Sequence, residues 1–184
     1  MRITHLGHAC LLIEMADSRI LLDPGVFTAD LSPATDLDAI LVTHQHPDHL
    51  DQSRLPGLRR ANPGALLLTW EWHALIHDDI PVIANVGVVF AAEGEPTLYH
   101  PGDTLAEEPG PVDVACFPLN APWQRSREMT AYLRRLAAPR AIPIHDGLLN
   151  ATGRNLYLSQ ARSLGCAHTE ILDLAGAGTV EVSA

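Results

Sequence analysis

The stretch THQHPDHLD, residues 43–51, places His44, His46, Asp48 and His49 within six consecutive positions. Neutral ring nitrogens and ionised carboxylates gathered so closely are the donor set of a divalent metal ion. The run follows the apolar segment 37–43, LDAILVT, which reads as a buried strand, so the ligands arrive at a strand's carboxyl end. Residues two apart in extended chain point to one side, and His44 and His46 can therefore share an ion. Pro47 redirects the chain. Asp48 and His49 then emerge in a new direction, suited to a second ion. An isolated histidine is usually a surface or core residue, but His-x-His-x-Asp-His behind a strand points to metal. Asp51 reads instead as the N-cap of a short helix over 51–60, limited by Pro56 and Gly57.

The elements that must position this run are mostly short strands. Segments 2–6, 9–15, 19–23 and 65–69 carry strand-like apolar runs bounded by turn signals. Residues 82–91 and 96–100 read as a hairpin around Glu93–Glu95, and 112–118 and 140–144 as buried strands. Ser126 reads as the cap of a helix with Met129, Leu133 and Leu136 on one face, stopped before Pro139. A last helix is expected over Thr152–Leu164, ending at Gly165. Strands dominate each half and helices intervene, which predicts two sheets with helices outside, in one domain spanning residues 1–184.

Composition narrows the partners. Formal net charge is −10 and all twelve basic residues are arginine. That opposes a duplex nucleic-acid groove, because phosphate neutralisation needs clustered cations. Without lysine, no lysine nucleophile or base is available. Cys10, Cys116 and Cys166 are widely spaced and form no CxxC motif, which fits free thiols in a reducing cytoplasm. The opening MRITHLGHAC is no signal peptide, and no apolar run approaches the ~18 residues of a membrane span. A cytoplasmic enzyme of a small molecule is expected, with a homo-oligomer allowed.

The HxHxDH run resembles the signature of the metallo-β-lactamase superfamily. THLGHACLLIE and ILLDPGVF resemble its opening hairpin, YHPGDT its GDT segment, and IPIHDG the segment of its final metal histidine. The likeness covers Thr4 to about Gly147 and is nearest the small UlaG-like hydrolases. It implies a four-layer αββα sandwich. It also implies a binuclear site, with His44, His46 and His73 on one ion, Asp48, His49 and His145 on the other, and Asp103 bridging. His77 is the alternative to His73. The segment before His73 departs from the pattern, lacking about one helix and one hairpin. Asp48 and Asp103 are the expected catalytic residues, and zinc is the expected metal, with manganese or iron compatible. Asp23 is a candidate acceptor behind a ligating histidine, and His8 a candidate visitor to the site from the first hairpin. His100 is expected to point away from the metals.

The reaction so implied is hydrolysis of a small ester, lactone, amide or phosphodiester by a metal-bridging hydroxide. Two other readings fit the same motif: an iron-dependent oxidoreductase on this scaffold, and a non-catalytic binding protein stabilised by metal. Structural zinc sites are closed by four ligands, whereas seven ligands for two ions leave positions open, which favours catalysis.

Overall fold

The computed structural model describes residues 1–69, 84–175 and 178–183, together with the backbone of the short strands at 75–77 and 80–82. In chain order the first elements are β1 (Arg2–Gly7), β2 (Cys10–Met15), β3 (Ser18–Leu22), β4 (Ala39–Leu41), α1 (Leu55–Ala61) and β5 (Leu66–Leu68). Then come β6 (Leu75–His77), β7 (Ile80–Val82), β8 (Val88–Phe90), β9 (Leu98–His100) and β10 (Val114–Pro118). The chain continues with α2 (Ser126–Leu136), β11 (Arg140–Ile144), α3 (Ala151–Leu164), β12 (Glu170–Ile171) and β13 (Thr179–Glu181).

Two sheets carry the fold. One runs β13-β1-β2-β3-β4-β5, the other β12-β11-β10-β9-β8, and β6 and β7 form a separate hairpin. β1, β2 and β3 pair antiparallel, while β3, β4 and β5 are parallel. In the second sheet β9, β10, β11 and β12 are parallel, and β8 joins antiparallel.

Alternation along the strands builds the layers. Leu11 and Ile13 of β2 face a core shared with Val114 and Cys116 of β10 and Ile142 and Ile144 of β11. The neighbours Cys10 and Leu12 point the other way, with Leu21, Ile40 and Leu58 of α1. Ala115 and Phe117 turn outward to Met129, Tyr132 and Leu133 of α2 and to Leu158 and Ala161 of α3. A period of two on strands buried on both faces therefore yields helix, sheet, sheet, helix. This is the expected αββα sandwich.

Several local boundaries differ from expectation. Asp51 does not cap α1. Its Oδ1 accepts from the amides of Ser53 and Arg54, an Asx turn that delays the helix to Leu55. Ser126 is the first residue of α2 rather than its cap, and the Glu128 carboxylate accepts instead from the Arg125 amide. Asn150 caps α3 through the amide of Gly153, a signal not singled out in the sequence. The long strand expected over 82–91 is shorter, with β8 confined to Val88–Phe90. Cys10 and Cys116 are buried free thiols, as expected, and Cys166 is partly exposed. No described helix is long and apolar enough to cross a membrane.

Candidate metal centre

Loops at the carboxyl ends of β3, β4, β9, β10 and β11 converge on one edge of the sandwich, joined by the turn between β1 and β2. Carboxyl ends of parallel strands are where α/β folds present functional groups. β4 delivers His44 to His49, β9 delivers Asp103 and β11 delivers His145. Three residues here hold left-handed backbone: His8 at φ 56°, Asp23 at φ 49° and His145 at φ 60°. Non-glycine residues rarely adopt that region, and its cost is met by the contacts that fix them.

The ring nitrogens are sorted by their partners. Asp23, fully buried, accepts at Oδ1 from the Thr43 amide and at Oδ2 from the Thr43 hydroxyl, both at 2.7 Å. Its Oδ2 also accepts from His49 Nδ1 at 2.7 Å. His145 Nδ1 donates to the carbonyl of Asn120 at 2.8 Å. His49 and His145 therefore turn Nε2 outward, the nitrogen that can offer a lone pair to an ion once the ring is neutral. His44 Nδ1 lies 3.2 Å from the Thr43 hydroxyl oxygen, whose own proton goes to Asp23. That leaves His44 Nε2 facing His46 Nδ1 at 3.0 Å. A partner behind each ring fixes its tautomer, the arrangement expected behind metal-ligating histidines.

These outward-facing nitrogens meet the two carboxylates. Asp103 Oδ1 lies 3.3 Å from His49 Nε2 and 3.0 Å from His145 Nε2, while its Oδ2 lies 3.7 Å from His44 Nε2. Asp103 thus stands between the His44–His46 pair and the His49–His145 pair. Asp48 Oδ2 is 3.3 Å from His145 Nε2 and 3.2 Å from His8 Nε2. His49 Nε2, His145 Nε2 and Asp103 Oδ1 are buried and make no well-formed hydrogen bond. Buried polar atoms without partners are rare in native proteins. Three of them converging from two rings and a carboxylate fit a cation. By distance alone, two donor groups can form among the described residues: His44, His46 and Asp103, and His8, Asp48, His49 and His145.

Without an ion the cluster is strongly charge-coupled. Burial opposes charge on His49, but Asp23 and Asp103 overcome it and push the ring up to about 10. His145 is likewise opposed by burial and raised to about 9 by Asp103 and Asp48. Burial, then the charge on His49, pushes His44 down to about 3. Burial pulls Asp48 and Asp103 upward, yet the neighbouring histidines hold both far below the usual carboxylate range.

Six of the seven expected ligands are thereby gathered: His44, His46, Asp48, His49, Asp103 and His145. His73 lies outside the described residues, as does the side chain of its alternative, His77. Asp23 stands behind His49, as expected. His100 is fully buried, accepts from the Gly102 amide at Nδ1 and faces the Ala9 carbonyl at Nε2, away from the cluster. Trp123 is 46% exposed and donates its indole N–H to Asp103 Oδ2 at 3.2 Å.

A family model described as a beta-lactamase superfamily domain matches residues 2–145. The chain belongs to the metallo-β-lactamase superfamily. Protein Rv0786c of Mycobacterium tuberculosis is 36% identical over 204 aligned positions, covering 94% of this chain and 96% of the relative. That alignment is longer than the 184-residue chain, so the relative carries residues with no counterpart here. A relative named UPF0173 metal-dependent hydrolase, from Geobacillus thermodenitrificans, is 28% identical and covers 79% of this chain and 85% of its own. Among solved structures, the isothiocyanate hydrolase from Delia radicum gut bacteria matches over the whole of both chains with a TM-score of 0.63 and 17% identity. That likeness speaks for the metallo-β-lactamase fold alone.

Proposed function

We propose that this metallo-β-lactamase superfamily member is a binuclear metal-dependent hydrolase of a small, neutral ester, lactone or amide. The observation that carries the reading is the convergence of His49 Nε2, His145 Nε2 and Asp103 Oδ1, none of them in a well-formed hydrogen bond, in a buried cluster. In this reading His44 and His46 would hold one ion, with His73 proposed as their third ligand. His49, His145 and Asp48 would hold the other, and Asp103, which stands between the two groups, would serve both. Two such ions, when bound, lower the pKa of water to near neutrality and polarise the attacked oxygen. Asp23, Thr43 and the Asn120 carbonyl keep the rings in the ligating tautomer. No side-chain nucleophile is needed.

The surroundings favour a neutral substrate with an apolar part over a phosphodiester. Val26, Phe27, Trp123 and Leu148 are 46%, 39%, 46% and 54% exposed on loops that touch the cluster. Exposed apolar side chains beside a polar centre suit the apolar part of a small-molecule substrate. Two arginines bond the site's loops, and both are engaged by the scaffold. Arg54 donates to Asp51 and to the Thr28 and Gly25 carbonyls, and Arg154 to Asp146 and Asp173.

The test is elemental analysis followed by a hydrolysis panel on protein loaded with zinc, manganese or iron. Two ions per chain, and turnover of carbonyl substrates abolished in Asp103→Asn, are expected. Turnover of no substrate by fully loaded protein, or iron with redox-active absorbance, would sink the reading.

A further inference from the structure

His8 sits in the turn between β1 and β2 and is only 1% exposed. Its Nε2 lies 3.2 Å from Asp48 Oδ2, and its ring centroid is 4.0 Å from that of His145. By distance it belongs with Asp48, His49 and His145 as a fourth donor for an ion. The hydrogen bonds assign it otherwise. The amide of Gly147 donates to His8 Nδ1 at 3.0 Å. A backbone N–H can only donate, so Nδ1 must present its lone pair there. A neutral imidazole has one proton, which then sits on Nε2. A ligand nitrogen must offer a lone pair, and Nε2 of His8 has none to offer. An imidazolium is excluded as well, since its Nδ1–H would face the Gly147 N–H. His49 and His145 show the opposite arrangement, with Nδ1 donating and Nε2 open.

The backbone around His8 holds this arrangement in place. The His145 amide donates to the His8 carbonyl at 2.9 Å, and His5 Nε2 reaches the same oxygen at 2.9 Å. A Cβ at position 147 would lie 3.0 Å from His8 Nδ1 and 3.0 Å from Phe27 Cβ, so close approach of the donating amide needs glycine. The ring stacks beside Phe27 at 5.1 Å between centroids. With a left-handed φ of 56°, His8 occupies a conformation that only surrounding contacts sustain.

We infer that His8 is not a metal ligand but a positioning residue, a neutral Nε2–H donor that orients the Asp48 carboxylate. Its burial keeps it from substrate, so it acts through Asp48. The consequence for an ion rests on the metal-site reading of Asp48, whereas the tautomer does not.

Two measurements decide it. Long-range proton–nitrogen correlation spectra of metal-free protein labelled with [15N]histidine should show His8 as the Nε2–H tautomer. An Nδ1–H tautomer or an imidazolium at pH 8 would overturn the inference, and this readout needs no variant. Zinc titration against a competing chelator then compares His8→Gln, which keeps an N–H donor near Nε2, with His8→Phe, which removes it. The Phe variant should bind its weaker zinc about 10- to 100-fold less tightly, and the Gln variant should recover most of that loss. Equal loss in both, with wild-type melting temperatures, would make His8 a ligand and overturn the inference. Failure of the wild-type protein to bind any zinc would instead overturn the metal reading, leaving the tautomer to judge His8.

Discussion

At the scale of single residues, the proton inventory of the cluster makes a prediction about metal uptake. His49 and His145 are raised to about 10 and about 9 in the metal-free protein, so both carry a proton at neutral pH. An ion needs Nε2 of both rings unprotonated, with Nδ1 keeping its proton, so binding must expel protons. Calorimetry in buffers of differing ionisation enthalpy should find on the order of two protons released per chain at pH 7.5. Release of none would contradict this account of the cluster. The sign of the stability effect follows. Both groups are raised above the ordinary histidine value, so their contribution is complete below about pH 6.5 and is lost as pH climbs through about 9 to 10. The melting temperature of metal-free protein should accordingly fall across that upper window. The side chains that gather here were readable from the HxHxDH spacing and the superfamily resemblance, because ligand chemistry lives in side-chain identity. The Gly147 amide and the Asn120 carbonyl were not readable, because a backbone group carries no residue signature. Those two groups decide the tautomers of His8 and His145, so the division of labour among the histidines appears only in three dimensions.

Among the elements, the β3–loop connection and the ligand loop are packed backbone to backbone. A Cβ on Gly25 would fall 1.8 Å from the Asp48 carbonyl oxygen and 2.7 Å from the His49 nitrogen. The Val26 amide donates to the Pro47 carbonyl at 2.8 Å and the Asp51 amide to the Pro24 carbonyl at 2.9 Å, so neither loop can yield alone. Gly25→Ala should destabilise the fold by about 3 kcal/mol, at the upper end of overpacking effects, and displace Asp48 and His49 together. Thermal melting combined with zinc titration checks this, and wild-type zinc affinity in the variant would refute it. The Asp-Pro-Gly run was legible as a turn, but not as the surface on which the histidine loop is moulded. Helix starts were legible to within a few residues only. Asp51 and Ser126 have the chemistry of caps, yet an Asx turn and the Glu128 carboxylate satisfied the local amides first.

For the whole molecule, the cluster draws from both sheets: His8, Asp23 and residues 44–49 from the first, Asp103 and His145 from the second. An ion held there links the two halves of the sandwich, so chelation should weaken the fold globally and not merely loosen a loop. Ligand held at about a thousand times its Kd stabilises by about 4 kcal/mol. Stripping the metal with a chelator should lower the melting temperature and raise amide exchange at the carboxyl ends of β4 and β11 together. Exchange rising in one sheet alone would argue against a shared site. Two sheets with outer helices were readable from the order of apolar strand runs and intervening helices, and the four-layer sandwich from the superfamily resemblance. The pairing order was not, since β13 returns to flank β1 from the far end of the chain.

The bond between His8 and Gly147 joins residues 139 positions apart. Contacts of such long loop closure form late, after most of the entropy of the intervening chain has been surrendered. A growing polypeptide therefore exposes the HxHxDH run for a hundred residues before its counterpart exists. During synthesis that run has at first only His44, His46, Asp48 and His49 to offer an ion, and Asp103 joins them before His145 exists. Tight capture has to wait for the strand that ends at Ile144, which makes metal the last component to be assembled and not the seed around which folding begins.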